Sequence, residues 1–284
     1  MYANHAYPLI LLKHVLNFQL FTIVSGGDLE LQNHPVWRMI RRAVYKNSVA
    51  IFTVATRLKF GIERESGYQA IVIPTGADTD YYAPVGSTMD LRQKHNLDKD
   101  DFLILTLSNL TERKKIDDVI RAAKTVKGSG NVKMIIAGDG PEKNNLVNLC
   151  TELGQDAIFL GYVDESTKRE LFNIADAYVL ASYQEGMPFS VMEAMSCGCI
   201  CICTNVGDLP RLIRNSVNGY LVKPRQPAQI ASKIEEIMHK SEQQRRTIKE
   251  NARKTILDGY DFRKLAGDMI EIIENMISSK EPSN

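Results

Sequence analysis

The chain has 284 residues, with 35 Lys and Arg against 34 Asp and Glu, and its formal net charge of +1 supplies no whole-molecule field for nucleic acid. An apolar share of 44% and a charged share of 24% are those of an ordinary globular protein of two domains or one large one. The longest apolar stretch, residues 7–24, is broken by Lys13, His14, Asn17 and Gln19, which argues against a membrane span; with no basic leader and no small-residue cleavage site, a cytoplasmic location is expected.

Residues 1–100 offer strand candidates at 20–24, 49–55 and 70–73, whereas a nucleotide-binding fold carries about six. This region therefore reads as a partial domain, 1–92, whose apolar segment 7–16 calls for cover by another chain or stays open. Residues 36–46 (VWRMIRRAVYK) set Trp37, Ile40 and Val44 against Arg38, Arg41, Arg42 and Lys46, a pattern that suits a solvated helix face and also contact with anionic lipid. Pro84, Gly86, Ser87 and Thr88 interrupt regular structure and mark a linker over 83–97. Beyond it, strands at 102–108, 132–137 and 158–160 alternate with helices at 116–127, 143–153 and 167–175, the signature of an α/β domain with a parallel sheet, here 93–261. Further strand-like runs at 204–206 and 219–222 and helices at 227–240 and 243–257 complete it, and helix 262–279 is expected to pack back on the first domain.

The most informative stretch is residues 185–198, EGMPFSVMEAMSCG. Pro188 suits a first helical turn, Val191, Met192 and Met195 form an apolar face, and Gly198 ends the helix, so Glu185 precedes the helix and Glu193 lies within it. Carboxylates accept hydrogen bonds from sugar hydroxyls, while the free N–H groups around Phe189, Ser190 and Val191 and the positive end of the helix dipole suit a phosphate. The strand at 177–181 puts this loop at the carboxyl end of a parallel sheet, where ligands collect. Four crowded cysteines, Cys197, Cys199, Cys201 and Cys203, invite a metal reading. Cys199, Cys201 and Cys203 instead alternate with Ile200 and Ile202 along one strand, and no CxxC or His partner completes a tetrahedral set, so no metal is expected.

EGMPFSVMEAMSCG, followed by ICTNVGDLPRLIRNSVNGYLV, resembles the donor-site signature of the retaining glycosyltransferases of family 4, which have the two-domain GT-B fold. IPTGADTDYYAP is similar to that family's inter-domain segment, IIAGDGPE to its Gly-rich loop and FLGYV to its nucleobase-side strand. The resemblance implies a complete Rossmann-like donor domain, a partial Rossmann-like acceptor domain, and a nucleotide-sugar donor whose sugar passes to a glycan or lipid-linked acceptor. Polysaccharide, glycolipid or cell-envelope glycan synthesis is the expected setting, at the inner face of the membrane if the 36–46 helix touches lipid. In that frame Glu193 binds the ribose, and Glu185 with Gly186, Met187, Pro188 and Phe189 holds the sugar. Ser190, Val191 and Lys114 face the diphosphate, and Gly138, Gly140 and Val163 lie on the nucleotide side. No cofactor or metal is then required.

There are departures from the family pattern. Asn109 stands where many relatives have arginine, with Arg113 as the substitute, and Lys115 occupies a position commonly held by glycine. On the acceptor side, in SGGDLE, Ser25 replaces a frequent histidine beside Gly26 and Asp28. The family's first domain begins well upstream of Met1, which leaves two alternatives to an active retaining enzyme. One is a donor-binding fragment that needs a separate chain for its missing strands, and the other is a sugar-nucleotide epimerase on the same fold.

Overall fold

The computed structural model describes residues 7–16, 18–24, 35–127 and 131–279. It forms two compact units, one of Met1–Thr75 with Phe262–Asn284 and the other of Gly76–Asp261. In the first, α1 (Tyr7–Leu16), β1 (Phe21–Val24), α2 (Pro35–Asn47), β2 (Ala50–Thr53), α3 (Thr56–Ser66) and β3 (Ile71–Val72) follow in order. The strands make a parallel three-stranded sheet, β1-β2-β3, packed through Val24, Val44, Tyr45, Ile51 and Ile62. One sequence expectation needs correction here. Arg41, read as part of the basic face of 36–46, is buried and its guanidinium meets the Glu65 carboxylate at 2.9 Å, so only Arg38, Arg42 and Lys46 of that set remain exposed. A guanidinium can enter the interior only with such a bidentate partner.

The second unit runs α4 (Met89–Lys94), β4 (Phe102–Leu107), a 3-10 turn (Glu112–Lys114), α5 (Ile116–Thr125), β5 (Val132–Ala137), α6 (Lys143–Leu153) and β6 (Ile158–Gly161). It continues with α7 (Glu165–Ile174), β7 (Ala177–Leu180), α8 (Phe189–Ser196), β8 (Cys201–Thr204), α9 (Leu209–Leu212), β9 (Tyr220–Val222), α10 (Pro227–His239) and α11 (Glu242–Gly259). The six strands pair in parallel in the order β6-β5-β4-β7-β8-β9. Both faces are covered by helices, which is why β4, β7 and β8 read as continuous apolar runs rather than as alternating ones. Leu103, Leu105, Tyr178, Cys201 and Cys203 face the layer containing Val191, Ala252 and Ile256, whereas Ile104, Val179 and Ile202 face the layer containing Ile120 and Ile234. Cys199, Cys201 and Cys203 thus act as small hydrophobes on one side of the sheet, each with a free thiol, while buried Cys150 packs in the other layer.

The unit boundary falls at Thr75/Gly76, not at residue 92. Ala77 bridges Asp261 and donates its N–H to the Tyr260 carbonyl at 2.9 Å, the Val85 N–H meets Asn173 Oδ1 at 2.8 Å, and Tyr82 packs edge-on to Phe172. The segment is irregular because of Pro84 and Gly86, yet it is fastened to the second unit; turn-forming residues mark the end of a helix or strand, not looseness. A separate strand at 204–206 is also absent, because β8 stops at Thr204 and the chain turns through Gly207 at φ +58°. The last helix, α12 (Phe262–Ser278), belongs to the first unit and has no buried residue.

Candidate functional site

In this sheet the strand order reverses between β4 and β7, so the loops leaving those strands diverge and open a crevice at their carboxyl ends. Two predicted segments meet there. The Tyr183 N–H donates to the Arg113 carbonyl at 3.2 Å, Arg113 Nη1 reaches the Gln184 carbonyl at 3.5 Å, and Lys114 Nζ lies 2.6 Å from Glu185 Oε1. Both members of this ion pair are largely withdrawn from water, with side-chain exposures of 14% and 8%. Lys114 and Glu185, expected to serve phosphate and sugar separately, therefore neutralise one another in the resting chain.

The helix that follows starts without a side-chain cap, so the N–H groups of Phe189 and Ser190 have no partner within it. Pro188 is the residue before the helix rather than its first turn, and Gly198 takes the left-handed conformation just past its end, at φ +75°. Ser190 Oγ and the Tyr178 hydroxyl are 2.8 Å apart, and that hydroxyl donates to the Leu107 carbonyl at 3.1 Å, tying α8 to the ends of β4 and β7. Burial pushes the Tyr178 phenol far above its ordinary range, so it remains a donor. Phe189 is 54% exposed at the helix start.

Gly138 and Gly140 turn out to be packing positions for the loop after β4. A Cβ on Gly138 would come within 1.9 Å of the Ser108 carbonyl oxygen, and one on Gly140 within 2.4 Å of that of Leu110. That loop carries Asn109, which is exposed. Gly207 does the same for the other loop: its Cβ would meet the Glu185 carbonyl oxygen at 2.2 Å, and the next N–H, of Asp208, donates to the Gly186 carbonyl at 3.1 Å. Gly186 itself has open space where a side chain would project. Met187 and Val163 are half-buried against the same core layer.

Glu193 sits one turn into α8 with its carboxylate oxygens 3.2 and 3.1 Å from Lys168 Nζ on α7. Burial raises the Glu193 pKa, and Lys168 opposes that shift. Lys168 also lies 2.8 Å from Glu165 Oε2 and 5.2 Å from the centre of the Tyr82 ring, whose hydroxyl donates to Glu165. Burial works against the Lys168 ammonium, but Glu165 and Glu193 overcome it and its pKa is raised. No sequence signal joins these residues, because the contact depends on how α7 packs on α8. Ser25, Gly26 and Asp28, the expected acceptor-side residues, lie outside the described residues.

Lys115 explains one departure from the family pattern: it is left-handed, at φ +49°, where a glycine is free of Cβ strain. Lys115→Gly should raise the free energy of unfolding by up to about 1 kcal/mol, read as a higher urea midpoint at constant slope. A lower midpoint would mean that the contacts of its ammonium with Asp117 at 3.8 Å and over Tyr183 at 5.9 Å outweigh that strain.

The fold is that of glycosyltransferases of the GT-B type. Residues 87–255 match the family model for glycosyl transferases group 1, and the chain belongs to that family. An uncharacterized glycosyltransferase of Methanocaldococcus jannaschii is 30% identical over 186 residues, 65% of this chain and 47% of the relative. The putative teichuronic acid biosynthesis glycosyltransferase TuaC of Bacillus subtilis is 29% identical over 220 residues, 76% of this chain and 54% of the relative. The chain thus spans about half the length of the curated relatives it matches. Among solved structures, HepE of Anabaena in complex with UDP superposes with a TM-score of 0.84 at 19% identity, over 96% of this chain and 78% of that one. Among the described residues no helix is long and apolar enough to cross a membrane.

Proposed function

We propose that this chain binds a nucleoside-diphosphate sugar in the β4–β7 crevice and transfers the sugar to an acceptor hydroxyl with retention of anomeric configuration. In this reading the bond between the anomeric carbon and the diphosphate oxygen breaks, the acceptor oxygen bonds to that carbon on the same face, and the acceptor's proton passes to the leaving phosphate. The observation that carries it is the Lys114–Glu185 pair beside the uncapped start of α8. An ammonium and a helix terminus stabilise a leaving diphosphate more as its charge grows, without calling on a metal. The name of the relative TuaC supports cell-envelope polysaccharide synthesis as the setting; a glycan or lipid-linked acceptor and work at the cytoplasmic face of the membrane are part of the same proposal.

Gly186 offers a direct test. A methyl group there meets nothing in the chain, so Gly186→Ala should melt like the parent but bind donor at least about tenfold more weakly, because the added carbon occupies the space of the sugar. Calorimetric titration with UDP-, GDP- and ADP-glucose, followed by product analysis at the anomeric centre, checks both parts. Absence of binding by every donor, or an inverted product, would overturn the proposal.

A second reading has its own support. α12 turns Leu265, Met269, Ile272, Ile273 and Met276 to one half-buried side but leaves Phe262, Ile270 and Ile277 exposed, apolar surface of the kind a further polypeptide covers. Donor binding without turnover, with transfer restored by a neighbouring gene product, would favour it.

A further inference from the structure

The geometry points to Lys168 as the positioning residue that fixes and aims the Glu193 carboxylate for the ribose hydroxyls. This inference rests on the reading of Glu193 as the ribose-binding group. A carboxylate offers about four acceptor positions. Lys168 Nζ contacts both Glu193 oxygens, at 3.2 and 3.1 Å, and so holds the group in one orientation with its remaining lone pairs free for two adjacent hydroxyls. Glu193 has a side-chain exposure of only 12%, and a buried carboxylate without a cation takes up a proton and turns from acceptor into donor.

The charged groups around Glu193 are few. From α7 come Lys168 and Glu165, the latter sharing the same ammonium at 2.8 Å. From the segment after Gly76 comes the Tyr82 hydroxyl, which donates to Glu165 and stays neutral because burial and then Glu165 raise its pKa. From α11 comes Arg253, whose guanidinium is engaged by the carbonyls of Ser196 at 2.6 Å and Tyr82 at 3.2 Å. Beneath lies neutral Cys197, its thiol pushed up to about 12 by burial. Among the described residues Lys168 is thus the cation in contact with Glu193, and it opposes the rise in pKa that burial, the larger effect, and Glu165 produce.

The test compares UDP with 2′,3′-dideoxy-UDP, the deoxynucleotide that lacks both hydroxyls, by calorimetry, with the GDP and ADP pairs run in parallel and the tightest-binding pair used. Wild type should prefer the ribonucleotide by about tenfold or more, the size expected of a hydrogen bond to a charged group. Lys168→Met should reduce that preference to below about threefold while leaving affinity for the deoxynucleotide within about twofold. Lys168→Arg should restore the preference. As pH falls, wild type should lose the preference when Glu193 protonates, and Lys168→Gln should lose it at a higher pH. Glu165→Gln, which leaves the ammonium to Glu193 alone, should keep or increase the preference.

Equal weakening of ribo- and deoxynucleotide by Lys168→Met would show a merely structural role and overturn the inference, as would an unmoved pH profile in Lys168→Gln should the Met variant not fold. If wild type itself does not distinguish the two nucleotides and Glu193→Gln binds both normally, the ribose reading of Glu193 fails instead.

Discussion

Replacing Lys114 by alanine is expected to lower sugar transfer by about 10²–10³-fold, the usual cost of removing one donor that faces developing charge. Two effects combine. In the proposed reaction the diphosphate gains charge as the glycosidic bond breaks, beside an ammonium that is largely withdrawn from water and is worth more there than it would be in solvent. In the resting protein the same ammonium neutralises Glu185 at 2.6 Å, so its removal also leaves a buried carboxylate facing an incoming dianion. Adding Glu185→Gln to Lys114→Ala should therefore recover part of the nucleotide affinity and none of the transfer rate. Single-turnover rates beside calorimetric affinities separate the two effects. A Lys114→Ala protein that transfers within about threefold of the parent rate would remove the lysine from the mechanism.

Gly207→Ala is expected to be as damaging, although residue 207 carries no chemistry. A side chain at φ +58° costs about 1–2 kcal/mol, and the Cβ placed 2.2 Å from the Glu185 carbonyl oxygen forces a backbone shift worth about 1–3 kcal/mol more. The backbone that must give way is Glu185–Gly186, the part expected to line the sugar, so stability and donor affinity should fall together. Comparison with Gly186→Ala, where nothing is displaced, distinguishes loss of the loop from obstruction of the ligand. Urea melts and donor titrations of both variants check this, and a Gly207→Ala protein with the parent's midpoint and affinity would contradict the packing described.

What the sequence made legible is what short-range periodicity encodes. The spans of β5 and α6 agree with the expected ones, and the cysteine alternation placed three thiols on one face, as found. Glu185 and Glu193 were legible because they share one strand-loop-helix unit. α3 escaped notice, since Ala55 supplies no capping side chain and Gly61 weakens its helical pattern. The attachment of residues 76–88 to the second unit was equally hidden, for it depends on Asn173, Phe172 and Asp261, which are remote in the chain. Lys168 was invisible for the same reason: a lysine on a half-exposed helix face reads as solvated until the neighbouring helix is in place.

The pairing of β4 with β7 has a consequence for how the molecule assembles. β4 and β5 are registered along Phe102–Leu107, whereas β4 and β7 share only the pairs Ile104 with Ala177 and Leu105 with Tyr178, across a long separation in sequence. Each half of the sheet can zip up from neighbouring strand-helix units, but joining them requires closing a large loop for a short ladder. The crevice comes into being only with that closure. A molecule seated across it would hold the halves together, making slow amide exchange at residues 104–105 and 177–178 a readout of occupancy.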